Sequence, residues 1–500
     1  MSLSSNIRNF FKTTAIYGVI GSVRSLTEFF LLPVYAGYLT TVEFGMLDIL
    51  ALLMMLGGIA AILELGNAVF RYYFDDPSAQ FRKSVVSTAM LTLFLNGLAI
   101  MIIFISFSGQ LSVSILGSAR HSHLFILAGT FIFLNAVATI PINLFRIRNE
   151  AGKFTLVSLG QIAVSVIGIC VFVIVMDRGV AGILWAKTLS AIPAIIIGLY
   201  LARDEIGLSF DFGLLKNMLK YSLPLIPAGV AIWGVNGLNR LFMLHYLTLE
   251  QIGLYSVGAK FVVIITLSVI AFQLAWPHFS LSNMNSSEAA ATFASIFNIV
   301  AAIGLWMVIG ITFFADTLIK FALSSGYAPA AAAVLPLSLG MFMYGLFYFF
   351  STGPVFSKTT SMIIPPIAVA IAANVVLNIF LTPRFGFTGT AWVTTITYLI
   401  MTLGMIFTSR KCAYIAIEWG KIARLAAIAV PLVVFSAWTE RMNGTYMLAI
   451  KIVLFLLFPL VLIFTGFIKW PAPDRTRLET AGNGKDFISE KRPCVELPVE

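Results

Sequence analysis

Arg24 and Glu28 stand one helical turn apart in an otherwise apolar run. With Tyr17, Gly21 and Ser25 they fall at i, i+4, i+7, i+8 and i+11, a single polar stripe on a helix. Trp233, Asn236, Gly237 and Arg240 repeat the arrangement further along, and Lys187 and Lys260 place two more cations inside apolar runs. Guanidinium and ammonium groups in such surroundings suit one kind of chemistry. They replace the hydration of an anionic headgroup with charge-assisted hydrogen bonds. The candidate substrate-binding residues are therefore Arg24, Glu28, Asn236, Asn239, Arg240 and Lys260, with Glu28 and Asp48 the carboxylates available for ion coupling. Arg24 and Glu28 could instead neutralise each other, although Arg preceding Glu is the poorer order for such a pair. Asp48 is a partner for one of the cations. Lys187 lies near enough to its helix start to extend its ammonium outward, and Glu64 with Arg71 reads as an interface anchor.

Bond-making chemistry finds no support. Cys170, Cys412 and Cys494 have no ligand-like spacing. His121, His123, His245 and His278 form no HExxH, and the stretch "GNGKD" at 482–486 lacks the leading Gly and the Ser/Thr of a phosphate-binding loop. No catalytic residue, metal site or cofactor is expected.

The elements that must position these side chains follow from composition. Of 500 residues, 59% are hydrophobic and 11% charged, against roughly 25% charged in a soluble domain. A membrane span needs about 20 mostly apolar residues, and the chain offers one such run after another. In hydrocarbon each backbone group must be satisfied within its own segment or in a closed barrel. The sequence thus predicts an all-α polytopic membrane protein of about fourteen transmembrane helices. Spans at 14–36, 46–69, 183–201, 222–245 and 253–275 carry the candidates. Arg24 then sits about 15 Å into its span, close to the bilayer middle. The start "MSLSSNIRNFFK" lacks the pattern of a secretory signal, so the first helix is expected to remain. Residues 468–500 are polar and read as a disordered cytoplasmic tail.

Most of the 32 Lys and Arg fall on one side if both termini are cytoplasmic. The net charge of +10 reads as topology, with no call for nucleic acid.

The chain repeats itself. Tyr38, Leu39, Thr40 and Gly45 reappear 208 residues later as Tyr246, Leu247, Thr248 and Gly253. Gly179, Gly182 and Trp185 reappear 207 residues later as Gly386, Gly389 and Trp392. Each repeat spans six helices, an even number, so the two share one orientation. The organisation expected is an N-lobe at 1–209, a C-lobe at 210–412, an added helix pair at 413–467 and the tail.

Residues 236–260, "NGLNRLFMLHYLTLEQIGLYSVGAK", resemble the corresponding segment of Wzx-type polysaccharide-transporter flippases of the multidrug/oligosaccharidyl-lipid/polysaccharide exporter superfamily. The shared elements are Asn239, Arg240, Glu250, Gln251, Gly253, Tyr255 and Lys260. Members often carry Asp before that Arg, where this chain has Asn239. The resemblance implies two pseudo-symmetric six-helix lobes plus a helix pair, as in lipid II flippases and multidrug exporters. It implies translocation of an undecaprenyl-pyrophosphate-linked oligosaccharide across a bacterial inner membrane, with membrane lipids, a polysaccharide polymerase and chain-length machinery as partners. A lipid II flippase and a multidrug exporter of the same fold remain alternatives, with a membrane polymerase or ligase behind them.

Overall fold

In a computed structural model, the residues described are 22–23, 25–207, 209–283, 289–357, 359–412, 418–439, 445–465 and 467. They are helical with short connections, and ten of the helices are long and apolar enough to cross a membrane. Part of the predicted span 14–36, including Arg24, lies outside the described residues.

The chain divides into two compact units, Met1–Ser256 and Val257–Glu500. The first contains α1 (Leu32–Tyr38), α2 (Thr41–Ile62), α3 (Leu65–Tyr72), α4 (Ala79–Ser106), α5 (Ser108–Leu116), α6 (Ser122–Ile147), α7 (Ala151–Ile169), α8 (Gly179–Ala202), α9 (Phe212–Ser222), α10 (Leu225–Tyr246) and most of α11 (Leu249–Phe261). The second contains α12 (Val263–Asn283), α13 (Ala289–Ala322), α14 (Ala331–Phe350), α15 (Thr352–Phe356), α16 (Ile364–Cys412), α17 (Trp419–Thr439) and α18 (Thr445–Phe464).

The first sequence repeat encodes a helix start followed by a close crossing. Thr40 caps α2: its hydroxyl accepts from the Glu43 amide at 3.2 Å, and the Glu43 carboxylate accepts from the Thr40 amide at 2.9 Å. This reciprocal cap satisfies two amides that a helix start leaves unpaired. At the repeat position the Thr248 hydroxyl accepts from the Gln251 amide at 3.4 Å. The glycines that follow allow the two helix starts to touch. A Cβ at Gly45 would stand 1.9 Å from the Leu249 carbonyl oxygen, and one at Gly253 would stand 2.0 Å from that of Thr41.

The second repeat has its own cause. Gly179 and Gly386 both adopt positive φ, +50° and +62°, a conformation that costs glycine little. Their partners Gly182 and Gly389 each lie against a carbonyl of the preceding helix. A Cβ there would come within 2.9 Å of the Phe172 oxygen and 2.5 Å of the Leu381 oxygen, respectively. α16 runs as two arms, bent at Gly386. A fully buried ladder joins the arms. Asn374 Nδ2 donates to Thr397 Oγ1 at 3.0 Å, Asn378 Nδ2 to Asn374 Oδ1 at 3.0 Å, and Thr382 Oγ1 to Asn378 Oδ1 at 2.8 Å.

In place of one helix over 46–69, the structure has two. Leu63 (φ 51, ψ 28) and Glu64 (φ 53, ψ 18) are left-handed and separate α2 from α3. Left-handed backbone costs a residue with a side chain about 1–2 kcal/mol, so the surroundings must hold the break. Asn96 of α4 does so by donating to the carbonyls of Ala60 and Ala61 at 2.8 and 2.9 Å, the last turn of α2. Beyond the break, Leu65, Ala68 and Val69 pack against Val85, Val86 and Ala89 of α4 and Leu144 of α6, and α9 docks there through Leu214 and Met218. The mixed apolar and basic sequence of α9 shows the same division: Leu214 and Met218 are buried while Lys216 and Lys220 stay exposed.

In the second unit the final helix docks through an aromatic pair. Trp306 of α13 stacks on Phe455 of α18 with centroids 4.8 Å apart, and its indole donates to the Phe455 carbonyl at 3.0 Å. Burial of two large rings together with a satisfied indole N–H suits an apolar surround.

Candidate functional site

Two polar groupings in the first unit gather most of the candidates. In the first, Arg240 of α10 reaches Asp48 of α2 with both nitrogens of a fork: Nε to Oδ2 at 2.8 Å and Nη2 to Oδ1 at 3.3 Å. Ser256 of α11 donates to the same Asp48 Oδ1 at 3.0 Å. The Arg240 guanidinium also lies 6.0 Å from the centre of the Tyr255 ring, the outer limit of a cation–π contact. The Asp48 side chain is 10% exposed and that of Arg240 23%. A paired, hydrogen-bonded carboxylate of this kind is how a charge is kept within an apolar interior. Asn239, next to Arg240, is fully buried. The Asp48–Arg240 geometry makes the pair first a structural clasp, with the guanidinium already occupied by a carboxylate.

The second grouping lines a cavity of about 430 Å³ whose wall includes Glu28, Glu64, Asn135, Gln161, Lys187 and Ser190. Lys187 of α8 reaches Glu28 with Nζ to Oε1 at 3.3 Å. The side chains are 25% and 36% exposed, so the pair faces the cavity and is not sealed in the core. Lys187 therefore does not extend outward as the sequence suggests. It points across to the polar stripe because Glu28 offers a counter-charge at the same depth. Glu64 accepts from Asn67 Nδ2 at 2.7 Å, while Arg71 pairs with Asp75 one turn on.

Lys260 is half-buried on the last turn of α11, in the second unit. Arg24 and the side chain of Asn236 lie outside the described residues. Sequence reading missed Lys187, Glu64, Asn135 and Gln161 as cavity residues. For the last two the available signal is polar side chains within spans otherwise rich in apolar residues.

At the end of the first unit that the sequence predicts to be cytoplasmic, a further network ties three connections together. Tyr73 donates to Glu205 Oε1 at 2.7 Å, and Arg148 lies between Glu205 (3.6 Å) and Glu150 (2.8 Å). Arg82 stands 4.9 Å over the Tyr73 ring. Burial and the adjacent Glu205 carboxylate push the Tyr73 phenol up to about 12.

This arrangement can hold a polar, charged headgroup within a helical bundle and offers carboxylates that could exchange an ion. Residues 34–332 match the sequence model of a family described as polysaccharide biosynthesis protein. No curated protein matches the sequence. Among solved structures, the fold is similar to the lipid II flippase MurJ in an inward closed conformation, with TM-score 0.68 and 16% identity, covering 92% of this chain and 99% of that one. It is also similar to an inward-facing multidrug resistance MATE transporter of the MOP superfamily, with TM-score 0.59 and 12% identity over 78% of this chain and 98% of that one. A Vibrio cholerae MATE transporter, VcmN, gives a TM-score of 0.53 at 14% identity over 82% and 97%.

Proposed function

We propose that this chain, which belongs to the polysaccharide biosynthesis protein family, is a flippase for oligosaccharides linked to undecaprenyl pyrophosphate. The family match, on a fold shared with a flippase and with exporters, carries the reading. The cavity supports it chemically. Lys187 supplies an ammonium, shared with the Glu28 carboxylate, to a site lined also by Glu64, amides, hydroxyls and apolar side chains, where charge-assisted hydrogen bonds can replace the hydration of a sugar pyrophosphate. Arg24, Glu28, Lys260 and Asn236 are the residues that we assign to headgroup recognition, while Arg240, occupied by Asp48, and the buried Asn239 serve it by holding α10 in place. The lipid tail stays in the bilayer while the headgroup crosses.

On this reading the lobes are 1–209 and 210–412, related by the repeat, and transport proceeds by alternating access around a fixed site. The protein resides in the bacterial inner membrane with both termini cytoplasmic, and hands its substrate to a polymerase and chain-length machinery.

Depletion in cells tests the proposal directly. A lipid-linked polysaccharide repeat unit should accumulate on the cytoplasmic leaflet. Accumulation of lipid II would assign the substrate named for the MurJ neighbour, and accumulation of no lipid-linked glycan would refute the flippase reading.

A further inference from the structure

Small-molecule pockets occupy about 300–1,000 Å³ and set a few converging polar groups against an apolar wall. The cavity of about 430 Å³ in the first unit has that construction. Met54 and Phe131 supply apolar wall, Asn135 and Gln161 supply amides, and Glu28 and Lys187 supply a carboxylate and an ammonium. The amides come from α6 and α7, and both residues are half-buried. Among the described residues, their side chains have no protein partner. Each amide therefore keeps two donors and an acceptor for whatever enters.

Charge decides which part of a lipid-linked headgroup suits this space. Among the described lining residues, two carboxylates, Glu28 and Glu64, stand against one ammonium, Lys187. Lys187 Nζ already lies 3.3 Å from Glu28 Oε1. A phosphate or a uronate would reach that ammonium only by displacing Glu28, and would then sit in one cavity with two like charges. Such juxtaposition is costly where water is excluded.

An uncharged sugar needs no such exchange. One hydroxyl donates to the Glu28 carboxylate, a neighbouring hydroxyl accepts from the Lys187 ammonium, and the amides meet the remaining hydroxyls. The pair is open to these contacts, since its side chains are 36% and 25% exposed. The carbon-bearing faces of the ring rest against the apolar wall, out of water. A carboxylate and an ammonium held side by side thus match adjacent hydroxyls better than they match a single anion.

We propose that this cavity is a sugar subsite, and that the balanced Glu28–Lys187 pair selects an uncharged sugar over an acidic one. This deepens the flippase reading and rests on it. The pyrophosphate of the same headgroup is then held by cations other than Lys187.

Two fluorescent short-chain polyprenyl-pyrophosphate disaccharides test the proposal, one ending in glucose and the other in glucuronate, so that they differ only in a hydroxymethyl group or a carboxylate. Each is titrated into the purified protein in lipid nanodiscs, and the ratio of the two affinities is read. The wild type should bind the glucose compound about tenfold more tightly. Glu28→Gln leaves Lys187 without its counter-charge and should bring the ratio to one or reverse it. Lys187→Gln leaves the carboxylates alone in the cavity and should widen it. A pair that only holds helices together would weaken both compounds alike, so a ratio unchanged in both variants overturns the proposal. A third compound, with pyrophosphate and no sugar, should bind the wild type and Glu28→Gln with closely similar affinity. Tenfold tighter binding to Glu28→Gln would put the pyrophosphate in the cavity and overturn the sugar subsite. Transfer of the glucose compound in proteoliposomes separates this proposal from the reading beneath it. Transfer with an unchanged ratio removes the subsite and keeps the flippase, whereas the expected ratios without transfer keep the sugar selectivity and remove the flippase. Binding of neither disaccharide to the wild type overturns both.

Discussion

Asp48 and Ser256 occupy the same position in the two sequence repeats, 208 residues apart, and the serine hydroxyl donates to the aspartate carboxylate at 3.0 Å. Three residues earlier in each repeat, Gly45 and Gly253 bring the helix starts into backbone contact. Equivalent residues that touch each other are the mark of a pseudo-twofold crossing, in which one patch meets its own counterpart. Asp48 is the charged member of this contact, and Arg240, from α10, adds the counter-charge. It completes the Asp48 carboxylate with a two-nitrogen fork that Ser256 alone could not supply.

The Asp48–Arg240 pair should behave as a clasp. Asp48→Asn or Arg240→Gln leaves one largely buried charge without its partner. Because Arg240 keeps some exposure, the cost should be about 2–3 kcal/mol, below the 3–5 kcal/mol typical of a fully buried pair. The double substitution should recover most of the loss. Thermal unfolding of the purified protein in detergent checks this, and two losses that simply add would show that the residues act independently.

Glycine substitutions should separate crossing from propensity. Gly45→Ala forces a methyl group against the Leu249 carbonyl oxygen and should lower both stability and export. Gly37→Ala places its methyl in open space on α1 and should be neutral or stabilising by up to about 1 kcal/mol. Melting temperatures of the two variants, measured side by side, decide the matter.

Arg24 and Lys187 should prove distinct in their dependence on Glu28. Losing a charge-assisted headgroup contact at Arg24 costs about 1.5–3 kcal/mol, roughly ten- to a hundredfold in transport. Arg24→Ala should therefore cripple glycan export at normal protein abundance. Arg24→Lys keeps the charge without the fork and should retain part of it. Because Glu28 is held by Lys187, adding Glu28→Ala should not rescue Arg24→Ala. Restored export in that double variant would make Arg24 the partner of Glu28 and remove it from the headgroup site.

Tyr73 should give alkaline stability a recognisable signature. Its phenol, pushed up to about 12 in the fold, ionises at about 10 in an unfolded chain. The folded state therefore holds the proton more tightly. Its stabilisation is complete below about pH 10 and fades as pH rises toward 12. Tyr73→Phe should flatten the fall in stability across that window. A melting-temperature profile with the same slope in both proteins would count against the assignment.

The helical membrane class, the repeat and the polar character of residues 14–36 and 222–245 were legible in the sequence because each depends on local composition or on spacing along one helix. The repeat motifs, read as bare similarity, have local causes that the sequence also carries: Thr40 and Thr248 cap helices, and Gly179 and Gly386 take positive φ. That Asp48 meets one of the cations was legible; which cation each carboxylate takes was not. Glu28 meets Lys187, 159 residues away, at 3.3 Å across the cavity. Asp48 likewise finds Arg240 at a separation of 192 residues. Such partners depend on helix rotation and depth, which no single span specifies. The break at Leu63–Glu64 is the clearest case. No proline or glycine occupies either left-handed position, and the local sequence reads as a continuous helix. The interruption persists because Asn96, from a different helix, satisfies the carbonyls that it exposes, a contact that exists only once the helices have packed.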